Sequence, residues 1–145
     1  MAILRIKGHL VAIYIDDIFI VGLTFQECVA AVRDVVELFT KLGFYIHPEK
    51  SMFIPMQVVT LLGFIIDSVM MTLTLTEEKK LKILDSCTRF YNANQVTIRT
   101  LASLIGKLSS SFPGVQYGPL YYRSLERDKT EGLAMNRGNF EAKLD

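Results

Sequence analysis

Between Leu10 and Val21 the chain is apolar or aromatic at every position except two, and those two are the adjacent aspartates Asp16 and Asp17. Burying an unpaired carboxylate costs roughly several kcal/mol, and two side by side also repel each other. Such a pair inside an otherwise buried run belongs at a turn that reaches water, or beside a bound cation, and both can hold at once. Residues 9–14 and 18–21 are rich in β-branched and aromatic side chains and too short for typical helices, so they predict two strands of a hairpin with the aspartates at its tip. Asp tolerates turn geometry, although the Asn-Gly or Asp-Gly pair common in tight hairpins is absent. These residues alone leave a plain tight turn and a metal site both open.

With 145 residues, half of them hydrophobic, and a mean hydropathy of +0.31, the chain suits one domain and can build a core. Asp16, Asp17, Thr60 and Asp67 interrupt its richest apolar runs, so none approaches the ~18 to 20 residues that span a bilayer. Arg5, Lys7, Gly8 and His9 precede the first apolar run, which meets two aspartates instead of a small-residue cleavage site, unlike a secretory signal. The expectation is an intracellular protein, cytoplasmic or nuclear, with no membrane partner. Cys28 and Cys87 have no CxxC spacing and read as packed thiols. The net charge of +1 hides an asymmetry: residues 1–75 carry five Lys and Arg against seven Asp and Glu, whereas residues 76–129 carry nine against five. A basic second half fits contact with nucleic-acid backbone through Lys79, Lys80, Lys82, Arg89, Arg99 and Lys107, and equally fits a solvated helix face.

Thr24 with Glu27 forms a capping box that opens a helix, and Cys28, Ala31, Val32, Val35, Val36, Phe39 and Leu42 follow at helical spacing until Gly43. Residues 44–47 read as a short strand and Pro48-Glu49-Lys50 as a turn, while 52–54, 58–66 and 70–75 are further strand candidates. Thr76 and Thr97 cap two helices. The first carries an apolar stripe of Leu81, Leu84, Cys87, Phe90 and Tyr91, and the second buries Leu101, Leu104, Ile105 and Leu108. Residues 120–127 predict a third helix, and the polar stretch 128–145 a flexible tail.

Tyr14-Ile15-Asp16-Asp17 on an apolar hairpin resembles the signature of reverse transcriptases. The segment that follows, Leu42-Gly43-Phe44-Tyr45-Ile46-His47-Pro48-Glu49-Lys50-Ser51, is similar to the helix, strand and Pro-Lys turn that come after that hairpin in the same family. Leu62-Gly63-Phe64 resembles the primer grip. Phe53-Ile54-Pro55-Met56-Gln57, Leu62-Gly63-Phe64-Ile65-Ile66-Asp67-Ser68 and Leu104-Ile105-Gly106-Lys107-Leu108 look most like DIRS-type retrotransposons.

The resemblance implies an α+β chain: a partial palm over residues 1–75, a helical thumb over 76–127 and a tail. It implies nucleotidyl transfer from a dNTP to a primer on an RNA or DNA template, with Asp16 and Asp17 as ligands to Mg²⁺, or Mn²⁺ in its place. Tyr14 would shape the floor near the primer end, and Lys50 would protonate the leaving pyrophosphate or stabilise its charge. In the family a first catalytic aspartate and the fingers come from upstream, and eight residues before His9 are too few to supply them. The expectation is therefore a chain that does not polymerise alone and whose partner is the missing upstream part. The alternative is a non-catalytic nucleic-acid-binding or interaction module derived from a retroelement.

Overall fold

The apolar run folds as an antiparallel hairpin, β1 (Leu10–Tyr14) with β2 (Asp17–Val21), closed by the two residues Ile15 and Asp16. In the computed structural model, which describes Leu4 and residues 7–144, helix accounts for 50% and strand for 17%, so the class is α+β with small antiparallel sheets. The chain divides into two compact units, Met1–Met56 and Gln57–Asp145. The boundary expected after residue 75 falls earlier because strands of the second unit pack on its helical part, β-residue Leu75 being buried beside Gly114.

In the first unit, α1 (Phe25–Lys41) starts where Thr24 Oγ1 accepts from Glu27 N at 3.2 Å, and Glu27 Oε2 accepts from Leu23 N at 3.1 Å. The box thus closes one residue upstream of its usual position. Pairing Val11 with Ile20 and Ile13 with Ile18 puts these four side chains on one face of the hairpin. Leu4, Val11 and Val35 form the core, with Ile18, Ile20, Leu38 and Phe39 packed against it. Beyond α1 the expected strand 44–47 is absent, for a local reason. Gly43 at φ +83 donates to Thr40 O (3.0 Å) and Phe44 N donates to Phe39 O (2.9 Å), which is a Schellman stop. Phe44 completes it by packing on Phe39 at 5.2 Å between ring centroids, so its amide and side chain are both committed to the helix end. Pro48–Lys50 form the expected turn, as one turn of 3₁₀ helix, but residues 52–54 are also not a strand and lie largely exposed.

In the second unit β3 (Val58–Leu61), β4 (Phe64–Asp67) and β5 (Thr72–Leu75) make one antiparallel sheet in that order. The run 58–66 is therefore two strands instead of one, because Leu62 and Gly63 both take positive φ (51° and 78°) and turn the chain between them. Asp67 Oδ1 accepts from Val69 N and Met70 N, both at 2.9 Å, which holds 68–71 as a loop and delays β5 to Thr72.

Helices α2 (Glu77–Asn92) and α3 (Ile98–Ser109) are capped by Thr76 and Thr97 as expected. Ile98, Leu101, Leu104 and Ile105 are buried. On α2, Ile83, Cys87 and Phe90 are half-buried, whereas Leu81, Leu84 and Tyr91, expected in its packed stripe, are 62%, 62% and 88% exposed. The expected helix 120–127 is split into α4 (Gly118–Tyr121) and α5 (Arg123–Met135), α4 being entered through Tyr117 at φ 63°. Residues 128–135 continue α5, and 140–144 run beside the start of α3, so the expected flexible tail is ordered. Ile98 N donates to Ala142 O (3.0 Å), Arg99 N to Phe140 O (2.8 Å) and Leu144 N to Val96 O (2.9 Å). Two first-turn amides of α3, which a helix leaves without internal acceptors, thereby find carbonyls. Among the described residues no helix is long and apolar enough to cross a membrane.

Candidate functional site

The hairpin tip is built by backbone geometry. Tyr14 pairs directly with Asp17, so the two side chains stand on the same face, joined there by the Ala12–Phe19 and Leu10–Val21 pairs. This is the face opposite to Val11 and Ile20, and it is open: Leu10, Tyr14 and Val21 are 64%, 60% and 45% exposed. Ile15 carries φ +53, an outlier for a β-branched residue, and Asp16 follows it at the corner. Both aspartates are exposed, and among the described residues neither side chain has a partner. Their hard oxygen donors suit a cation such as Mg²⁺. Among the described residues no group of three or more His, Cys, Asp and Glu is assembled, so these two carboxylates would supply only part of an octahedral shell.

Lys50 ends the 3₁₀ turn of the same unit and is exposed. The same unit holds a charged cluster that periodicity did not reveal. Asp34 Oδ2 lies 2.9 Å from Lys7 Nζ and 3.0 Å from His9 Nε2. Hydrogen bonds from His9 and then Lys7 hold the Asp34 carboxyl down to about 2. Its only sequence signal was an acid on the polar face of α1, since its partners lie 25 and 27 residues away.

The six basic residues expected at a nucleic-acid interface all have partners within the second unit. Lys80 pairs with Glu77 and Lys82 with Glu78, each at 2.5 Å, Arg89 with Asp85 at 3.0 Å, and Arg99 with Glu141. Lys107 Nζ donates to Ser86 Oγ at 2.8 Å. Exposed pairs of this kind are worth about 0 to 1 kcal/mol and exchange readily for another anion. Lys79 is different. Its Nζ donates to the carbonyl oxygens of Leu62 (3.2 Å) and Ser110 (3.1 Å) and lies 3.8 Å from the centroid of the Phe64 ring, and burial pushes its pKa down. Lys79 is thus turned onto Leu62-Gly63-Phe64, where its ammonium meets carbonyl oxygens and an aromatic face. Comparison with protein-family models, with curated proteins and with solved structures finds no match to this chain.

Proposed function

We propose that this chain is the hairpin-bearing palm and thumb portion of an RNA-directed DNA polymerase, the reading that its Tyr14-Ile15-Asp16-Asp17 motif supports best. The observation that carries it is the exposed carboxylate pair, without a partner among the described residues, at the end of an apolar hairpin whose backbone turns through a strained Ile15. Asp16 is the stronger metal ligand and Asp17 the supporting one. Asp16 and Asp17 would hold Mg²⁺, which when bound would supply Lewis-acid activation of a primer hydroxyl and charge neutralisation of a triphosphate. Tyr14, across the strand from Asp17, offers its ring as a floor for the primer end, and Lys50 offers an ammonium to the leaving pyrophosphate. Two adjacent carboxylates alone bind Mg²⁺ weakly, with water filling most positions, and the family pattern adds a further aspartate from a separate strand, so the expected outcome is that the chain alone does not extend a primer.

Mn²⁺ titrated into wild type should broaden the NMR signals around residue 16, and Asp16→Asn should remove most of that broadening, with Asp17→Asn losing less. Equal broadening in wild type and Asp16→Asn would end the metal reading. Primer extension on an RNA template by the 145-residue chain, abolished by Asp16→Asn, would show that the site is complete without further ligands.

A further inference from the structure

The β3–β4 turn depends on a lysine from the helix that follows the sheet. Lys79 sits in the first turn of α2, where its amide donates to the capping Thr76 Oγ1 at 3.3 Å. From there its stem crosses Gly63: a Cβ built on Gly63 would lie 2.7 Å from Lys79 Cδ and 3.5 Å from its Cβ. Gly63 is required twice, for its φ of +78 and for the space the lysine stem fills. Thr76 N donates to Gly63 O at 3.0 Å, so the turn is tied to the start of α2 by backbone as well.

The ammonium ends in a cage where, among the described residues, no acid meets it. Two of its three protons go to carbonyl oxygens, one on the turn at Leu62 and one at Ser110, the C-cap of α3. The negative end of the α3 dipole and the face of Phe64 complete the cage, and each favours a cation. A neutral side chain of the same length would leave both carbonyls short of a donor. The other five basic residues lack this arrangement, since each meets an acid or a hydroxyl at the surface.

We infer that Lys79 is a positioning residue: its ammonium latches the Leu62-Gly63 turn to the ends of α2 and α3 and thereby fixes Phe64 and the tip of the β3–β4 hairpin. Its part in nucleic-acid binding rests on the reading of that hairpin as primer-facing, whereas the latch itself does not. The charge is held by the fold and is not offered to a phosphate, so Lys79 acts through the hairpin it holds.

Amide hydrogen exchange on the full chain tests the latch without any ligand. Lys79→Met keeps the stem and removes the charge, and should speed exchange of the Thr76 amide by about tenfold. The amides of Ile98 and Arg99, bonded to Ala142 and Phe140, should keep wild-type rates. Lys79→Arg, which can donate to two carbonyls and stack on Phe64, should restore most of the protection. Unchanged Thr76 exchange in Lys79→Met would overturn the latch, and so would equal acceleration at Ile98 and Arg99, because that marks general loosening. The second arm measures affinity for a primer-template duplex against salt. A positioning lysine predicts weaker binding by Lys79→Met with the wild-type salt slope. A slope lowered by about 0.7 to 0.9 would make Lys79 a phosphate contact and overturn the inference. A wild-type chain that binds no duplex defeats the primer-facing reading and the positioning role with it, and the exchange arm then decides the latch by itself.

Discussion

Gly132→Ala separates a docked C-terminal segment from a loose one. Gly132 is buried in α5, and in a helix with open space above it the substitution would stabilise by about 0.5 to 1 kcal/mol. Here an added Cβ would lie 2.8 Å from Leu144 Cδ2 and 3.3 and 3.4 Å from Ile98 Cδ1 and Cγ1. Ile98 is fully buried and cannot yield, so Leu144 must be displaced. Overpacking of this kind costs about 1 to 3 kcal/mol, which offsets or outweighs the helix gain and leaves the variant about 0 to 2.5 kcal/mol less stable. In a unit of this size that lowers Tm by about 4 to 8 °C per kcal/mol. Leu144→Ala removes the obstacle, so in that background Gly132→Ala should be neutral or stabilising. The coupling between the two sites should then equal the relieved overpacking cost, about 1 to 3 kcal/mol, well above the roughly 0.3 to 0.5 kcal/mol scatter of independent sites. Urea unfolding followed by circular dichroism, with m unchanged across the cycle, measures it. A wild-type background stabilised by Gly132→Ala, or a cycle without coupling, would refute the packing of residues 140–144 on α5.

Asp34 has a folded-state pKa depressed to about 2 from its ordinary 3.8, so its stabilising contribution is complete above that ordinary value and is lost as pH falls from about 4 towards 2. Asp34→Asn should flatten the decline of stability across that interval, and parallel declines in variant and wild type would show that the Lys7 and His9 contacts do not form in solution. Ile15→Gly should raise stability by about 0.5 to 1 kcal/mol, since relief of a left-handed β-branched residue, roughly 1 to 2 kcal/mol, exceeds the added chain entropy. A loss of stability in chemical denaturation would mean that no strain is stored at the turn.

What the sequence made legible was local. Thr24, Thr76 and Thr97 each accept from the amide three residues on, because a cap needs only its own first turn. The β1–β2 hairpin was readable for the same reason, as its pairing is set by neighbours around one turn. Errors came where an acceptor or a packing partner lies far along the chain. Residues 128–145 look disordered by composition, yet 140–144 hydrogen-bond beside the start of α3, more than forty residues earlier. Lys79 reads as one lysine among several until its partners at Leu62 and Ser110, 17 and 31 residues away, are in place. Strand propensity at residues 44–47 lost to the Schellman stop, since a strand gains its stability from a ladder and Phe44 had already spent its amide on Phe39. The polymerase reading itself rests on the order and spacing of motifs.

The two faces of the β1–β2 hairpin explain how carboxylates without side-chain partners among the described residues can still be held in place. A two-stranded hairpin alone is marginal in water, so its rigidity here comes from the face where Val11, Ile18 and Ile20 pack with Val35, Leu38 and Phe39. That anchoring fixes the register, and the register fixes Asp17 opposite Tyr14 and Asp16 beside the strained Ile15. Position is set through the backbone from the far side of the sheet. Hydrogen bonds or ion pairs to the carboxylates would also orient them, but would use the lone pairs that a hard cation needs. Asp34 in the same unit shows the contrary case: Lys7 and His9 occupy its carboxylate and hold its pKa down, which suits a structural charge and leaves it less available to a metal. Within one unit Asp34 is thus an engaged acid, whereas the lone pairs of Asp16 and Asp17 are left open among the described residues.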